Sequence, residues 1–309
     1  MNALRILKAT SGYVWRLPLC AAAYVGGAMA GGALLTALGM PLPEIPQQAN
    51  EQIMAVLLFA ASLALAGGLA PLARRLAGPF WMRWSMLAVL CYICLGVASP
   101  LEGAIFTSLR GMTSIPVFSL LPCGLFAAAM ALLFPPAERN DPSLADVRRF
   151  FQGRSAGNWA WRFAAAICAF PIIYWTFGMM VAPFVMEYYK QGQFALTVPR
   201  PGIIVLTQFA RGTLFLAASL PILMTWSGSK RQLVLALGLA FYVLVGLFGM
   251  VQSYWLAPTL QVLHNTEMLV DSMVYAWALA VLLVHPGEAK ADELFARFLL
   301  CLEQTPVGN

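Results

Sequence analysis

The 309-residue sequence has few charged residues, and this scarcity excludes most classes of soluble protein. Only 10% of its residues are Asp, Glu, Lys or Arg, whereas soluble domains carry about 25%. Hydrophobic residues make up 61% of the chain, and its mean hydropathy is +0.76. The formal charge is +6, and in a membrane protein such an excess usually comes from basic loops that face the cytoplasm. The charge therefore does not indicate a nucleic-acid partner, and we expect none. The composition predicts an integral membrane protein that crosses the bilayer several times.

Motifs of soluble enzymes and of cofactor-binding proteins are also missing. The sequence contains no P-loop, no GxGxxG and no GxSxG motif, so nucleotide chemistry is not expected. It has only two histidines, and most of its six cysteines lie in apolar runs, where small buried thiols are the usual outcome. We therefore expect no cofactor, and the sequence does not favour an enzyme.

Eight apolar segments reach or approach the length of about 20 residues that a membrane span requires. They lie at about 17–39, 53–73, 85–109, 115–135, 163–187, 202–226, 233–257 and 267–285. The sequence thus predicts an all-α integral membrane protein with eight transmembrane helices.

Basic residues are distributed unequally over the two sides that these spans define. Fifteen Lys and Arg residues lie on the side of the N-terminus, and three, Arg110, Lys190 and Arg200, lie on the opposite side. Because basic loops stay in the cytoplasm, we expect both termini to be cytoplasmic. The sequence also lacks an N-x-Ser/Thr glycosylation site. This favours a bacterial cell membrane, specifically the inner membrane.

The two halves of the chain resemble each other. Five residues recur 150 positions later: Tyr92, Gly96, Leu132, Leu133 and Pro136 return as Tyr242, Gly246, Leu282, Leu283 and Pro286. Because four spans are an even number, two copies would insert in parallel orientation. We predict a first four-helix repeat at 1–137, a cytoplasmic linker with an interfacial helix at 138–162, a second repeat at 163–287 and an amphipathic cytoplasmic tail at 288–309.

Charged residues within the predicted spans lie on the outer side of the membrane. At 1.5 Å per residue, Glu102 and Arg211 lie roughly 10 Å and 14 Å from the outer ends of their spans. Asp271 lies about one turn inside the eighth span, with Glu267 at its rim. A buried charge is tolerated when it is paired, so we expect Arg211 to bridge Glu102 and one of these two acids. Further polar groups that would line such a cavity are Ser99, Tyr174, Gln208, Gln252, Tyr254 and His264.

The stretch HNTEMLVD, from His264 to Asp271, has three interpretations. Spacings of three and four place His264, Glu267 and Asp271 on one helix face. In the simplest interpretation, Asn265 or Thr266 caps the eighth helix and the acids favour the positive end of its dipole. Alternatively, the face forms one wall of a polar binding cavity. The residue types also suit a divalent metal, but HExxH is missing, and we predict no metal site.

Three classes of function remain open. The favoured one is a transporter-like or lipid-handling protein whose Arg211 pairs with an anionic group of a small solute or lipid head group. The second is a structural subunit whose charges only lock helices together. The third is an intramembrane enzyme with Glu267 or Asp271 as base and His264 as acid or metal ligand. The expected partners are membrane lipids, a small polar or anionic ligand and, through a GxxxG motif at Gly27, a second copy of the chain, although packing within the chain is favoured.

Overall fold

The computed structural model describes residues 14–44, 49–136, 148, 150–226 and 228–284, and these form eight long helices. We number them α1 to α8, and they span Arg16–Ala37, Glu51–Ala73, Phe80–Phe106, Met112–Leu133, Ala156–Lys190, Pro201–Thr225, Lys230–Gln252 and Pro258–Leu283. Each is long and apolar enough to cross a membrane. The described residues contain two isolated β-bridges and no strand. The predicted all-helical fold with eight membrane-spanning helices is confirmed.

Polar caps set the starts of several helices. Asn50 precedes α2, and its Oδ1 accepts the backbone N–H groups of Gln52 at 3.0 Å and Ile53 at 3.2 Å. Ser155 accepts the N–H of Asn158 at 3.2 Å and starts α5 at Ala156, whereas the apolar run predicted a start near residue 163. Such caps satisfy N–H groups that a helix cannot pair internally. Because a cap can precede polar residues, hydropathy alone places these helix starts too late.

The start of α8 differs most from the prediction. The helix begins at Pro258, and Thr266 lies inside it, donating to the carbonyl of Val262 at 2.8 Å. The interpretation of Asn265 or Thr266 as a helix cap is therefore wrong, because both lie well beyond the first turn. Asp271 is 13 residues from the helix start (271 − 258), or about 20 Å along the axis. It lies at the middle of α8 and not one turn from its outer end.

Helix packing follows the same scheme in both halves of the chain. In the first half α1 contacts α2 and α4, and α3 contacts α4; in the second half α5 contacts α6 and α8, and α7 contacts α8. Three helix pairs join the halves: α2 with α7, α3 with α6, and α3 with α7. Together these contacts place α3 and α6 side by side at the centre, where charged residues of both helices can meet.

A π-helical segment interrupts both α3 and α7. The segments are Tyr92–Ala98 and Tyr242–Leu247, and they contact each other. A Cβ atom at Gly96 would lie 2.8 Å from a side-chain atom of α4, and one at Gly246 would lie 2.9 Å from a side-chain atom of α8. The glycines therefore allow each π-segment to pack closely on the next helix. Hydrophobic periodicity did not predict these segments, because a single widened turn leaves the apolar pattern nearly unchanged.

Basic residues at one end of the bundle cap the carboxyl ends of helices. Arg83 is only 4% exposed and donates to the carbonyl of Ala131 at 2.9 Å, and to further carbonyls at the ends of α2 and α4. Arg154 and Arg162 donate to carbonyls in the last turn of α8. These arginines satisfy carbonyls that have no partner within the helix. Part of the basic excess on this side thus stabilises the helix ends.

The predicted linker helix and tail lie mostly outside the described residues. The structure describes neither 137–147 nor 149, and it describes nothing after residue 284. Phe150 is 2% exposed and stacks on Trp159, with the ring centroids 5.1 Å apart. This part of the linker packs against the first turns of α5.

Close contact between α1 and α4 depends on two glycines. A Cβ atom at Gly27 would lie 2.4 Å from Cα of Pro122, and one at Gly31 would lie 2.5 Å from the carbonyl oxygen of Phe118. The GxxxG motif thus packs within the chain, as expected. Neighbouring Gly26 has no such neighbour within 4 Å.

We expect Gly27→Val to destabilise the protein by about 3 kcal/mol or more, because the added side chain must displace the backbone of α4. Gly26→Val is the matched control, since it adds the same side chain to the same turn where there is open space. Thermal unfolding in detergent measures both variants. Equal losses of stability would contradict the close α1–α4 contact.

Candidate functional site

Arg211 of α6 forms a buried ion pair with Glu102 of α3. The guanidinium Nη1 lies 2.5 Å from Oε1 of Glu102 and donates to Oε1 of Gln208 at 2.9 Å. Arg211 is 2% exposed, and its guanidinium carbon lies 5.4 Å and 5.5 Å from the ring centroids of Phe170 and Phe215. A charge so far from water requires such partners. The ion pair therefore fixes α3 against α6.

The predicted face of α8 carries a second polar group. Nδ1 of His264 lies 2.9 Å from Oε2 of Glu267, whose side chain is 7% exposed. One helical turn further, Oδ1 of Asp271 is buried and has no hydrogen-bond partner among the described residues. Burying an acceptor without a donor costs free energy. Asp271 thus presents an unsatisfied oxygen next to the His264–Glu267 pair.

Both groups line one small cavity between α3, α5, α6, α7 and α8. Its volume is about 30 Å³, which is room for about two water molecules. The polar residues lining it are Glu102, Tyr174, Arg211, His264, Glu267, Asp271 and Ser272. An aromatic wall from Phe170, Phe215, Phe241 and Tyr275 closes it towards the core. Charged and polar side chains that are far apart in the sequence therefore line one small cavity, which we call the polar cavity.

The polar cavity contains more acidic than basic groups. Three carboxyl groups, those of Glu102, Glu267 and Asp271, face one arginine and one histidine. Glu102 already neutralises Arg211, so the two acids of α8 have His264 as their basic neighbour. In a low dielectric, acidic groups without a basic partner interact strongly with a cation or a hydrogen-bond donor.

The structure places three of the predicted site residues away from the polar cavity. Ser99 donates to a carbonyl of the α3 π-segment at 2.8 Å, and Gln252 donates to a carbonyl one turn earlier at 3.0 Å. The hydroxyl of Tyr254 accepts the backbone N–H of Asn50 at 2.5 Å, at the start of α2. None of the three is among the residues that line the cavity. Gln208 contributes through its bond to Arg211 and does not itself line the cavity.

None of the four residues of the aromatic wall was among the predicted site residues, although helical spacing indicates two of them. Phe215 and Tyr275 follow Arg211 and Asp271 by four positions, a spacing that places side chains on the same helix face. Tyr275 donates its hydroxyl to the carbonyl of Gly212 at 3.2 Å, which joins α8 to α6. Helical spacing from the charged residues would have predicted both wall positions.

A larger apolar groove adjoins the polar cavity. Its volume is about 150 Å³, and α5, the end of α3 and the connection before α6 form most of it. Tyr174, His264 and Glu267 line both the groove and the polar cavity. Groove residues Met179 and Val198 are 66% and 54% exposed, so the groove opens on the surface of the bundle.

Comparison with protein-family models, with characterised proteins and with solved structures finds no match to this chain. Within the described residues, no three His, Cys, Asp or Glu side chains form a group that could hold a metal ion. The eight long, apolar helices among the described residues define a multi-pass membrane protein.

We expect Glu102→Leu and Arg211→Leu each to destabilise the protein by about 3–5 kcal/mol, because each leaves a buried charge without its partner. The double variant removes both charges, so its loss should be much smaller than the sum of the single losses. Unfolding of all three proteins in detergent gives this double-mutant cycle. Additive losses would show that the two groups do not interact.

Proposed function

We propose that the chain is a transporter-like membrane protein that binds a small solute or a lipid head group in the polar cavity, and that the bound group is a cation. The observation that carries this proposal is the buried, unpartnered Oδ1 of Asp271 beside a second acid, Glu267. The expectation that Arg211 binds a ligand anion is replaced, because Glu102 already occupies that position at 2.5 Å.

A comparison within the chain supports a binding role for this cavity. The pairs α1–α4 and α5–α8 occupy equivalent places in the packing scheme. Gly27 and Gly31 bring α1 against the backbone of α4, whereas Phe177 and Val181 stand 150 positions later in α5. These larger side chains require more space between two helices than glycine does. The polar cavity thus opens at a junction that the first half of the chain keeps closed.

We also propose that the chain consists of two parallel four-helix repeats at 1–137 and 163–287. The π-segments begin 150 residues apart, at Tyr92 and Tyr242, and helix-interior prolines lie 150 residues apart, at Pro71 and Pro221. Leu76 pairs with Trp226 through an isolated β-bridge, again at this offset. The offset of 150 therefore also fits the second and sixth helices, where Ala61 is the counterpart of Arg211.

The orientation and location form part of the same proposal. Fifteen of the 19 Lys and Arg residues lie on the side of the N-terminus, which we assign to the cytoplasm of a bacterial inner membrane. Membrane lipids then surround the bundle. Arg211 lies about 15 Å from the outer start of α6 (residues 201 to 211), and Asp271 lies about 20 Å from that of α8, so the cavity extends from the outer half of the membrane to its middle.

A structural subunit is the second candidate function. The Glu102–Arg211 pair favours it, because this contact joins the two halves of the bundle and leaves the guanidinium 2% exposed. A structural role does not account for Asp271, whose buried Oδ1 contacts no donor among the described residues. Binding by Asp271 therefore separates the two candidates.

We expect Asp271→Asn to weaken methylammonium binding at least tenfold, because it replaces the acid that carries the unpartnered Oδ1 by an uncharged amide. Methylammonium has two non-hydrogen atoms and so matches a cavity of about 30 Å³. For the best small ligands, the binding free energy reaches about 1.5 kcal/mol per non-hydrogen atom. For the two such atoms of methylammonium, this ceiling corresponds to a dissociation constant in the millimolar range. Saturation-transfer NMR in maltoside detergent measures this affinity, with formate as the anionic counterpart.

Glu187→Gln is the control, since Glu187 is an exposed acid at the far end of α5 and does not line the cavity. Its methylammonium affinity should equal that of the unmodified protein. Equal binding of methylammonium by the Asp271→Asn variant, or preferential binding of formate, would contradict the proposed cation site. The structural role predicts no methylammonium binding by any of these proteins.

A further inference from the structure

The apolar groove and the polar cavity meet at a shared wall. Tyr174 of α5 and the His264–Glu267 pair of α8 line both spaces. On one side of this wall lie the acids and Arg211, and on the other lie Met, Val, Ala and aromatic side chains. A molecule that reaches the cavity from the groove passes from apolar to acidic surroundings.

Gly178 lies at the junction of the two spaces. It lines the groove, and a Cβ atom at this position would lie 3.3 Å from Oε1 of Glu267. A larger side chain here would extend across the shared wall. The missing side chain leaves Glu267 accessible from the groove.

The groove faces the lipid side of the bundle. Met179 and Val198 line it and are largely exposed, in a bundle whose outer surface is apolar and contacts lipid. A hydrocarbon chain can therefore enter laterally from the bilayer and need not cross the protein surface in water. The acidic surplus of the polar cavity then selects a positively charged head group.

We infer that the groove and the polar cavity together form one site for an amphiphile with an ammonium head group and an alkyl chain. The head group binds between Glu267 and Asp271, and the chain lies along α5 in the groove. This inference rests on the proposed cation site and names the class of its ligand. An amine that carries no alkyl chain would use only the polar half of the site.

The test compares two probes with the same brominated twelve-carbon chain, one an amine and one an alcohol, at equal mole fraction in maltoside micelles. Bromine quenches nearby tryptophan fluorescence, and Trp175 lines the groove. The difference between the unmodified protein and Trp175→Phe isolates the Trp175 signal. We expect the amine to reach half-maximal quenching of Trp175 at a mole fraction several-fold lower than the alcohol requires. Asp271→Asn should abolish this preference.

Gly178→Val should also abolish the preference for the amine, because its side chain separates the groove from Glu267. Gly157→Val is the control on the same helix, since no atom lies within 4 Å of an added Cβ there. Ala182→Phe, which fills the groove, replaces Gly178→Val if that variant does not fold. Methylammonium binding should persist in Ala182→Phe, because Ala182 lines the groove and does not line the polar cavity.

Equal quenching by the amine and the alcohol in the unmodified protein would overturn the inference, as would an undiminished preference in Gly178→Val. The proposed cation site survives either result if methylammonium still binds. If the unmodified protein does not bind methylammonium, this result contradicts the proposed function itself. The two failures are therefore distinguishable.

Discussion

The cost of a charge in a membrane determines how this bundle is organised. Arg211 is tolerated because Glu102, Gln208 and two aromatic rings surround its guanidinium group. Its partner comes from α3, in the other half of the chain, so the ion pair sets the distance between the halves at their centre. The contacts α3–α6 and α2–α7 and the touching π-segments add packing around this point. Once Arg211 is neutralised, every further charged group in the cavity has to find its own partner.

The second half of the chain contains a polar junction that the first half lacks. Leu121 stands 150 positions before Asp271, and Val117 stands 150 positions before Glu267. At α1–α4, glycine permits direct contact with the backbone of the opposite helix. At α5–α8, three ionisable groups of α8, His264, Glu267 and Asp271, line the polar cavity. The same helix scheme thus accommodates either a closed contact or a cavity, depending on a few side chains.

The sequence predicted the spans well because each requires a long apolar run, and such runs are easy to recognise. It also predicted the pairing of Glu102 with Arg211, since only charged residues at similar depth in the membrane can meet. Depth does not fix the direction in which a side chain points, and for this reason Ser99, Gln252 and Tyr254 bond elsewhere. The predicted start of α8 was wrong because the helix begins at Pro258, among polar residues that precede its apolar part. Periodicity does not reveal a π-helix, so both π-segments were missed.

Asp271 is difficult to explain by stability alone. An apolar residue at its position would avoid burying an acceptor without a donor, as Leu121 does 150 positions earlier in α4. The His264–Glu267 pair is likewise not needed to neutralise Arg211, which Glu102 already does. These three residues instead extend from the middle of the bundle to the wall that the cavity shares with the apolar groove. In the proposed function, the two acids Glu267 and Asp271 attract the charged end of a membrane-dissolved cation, and this role accounts both for the position of the acids and for the groove that adjoins them.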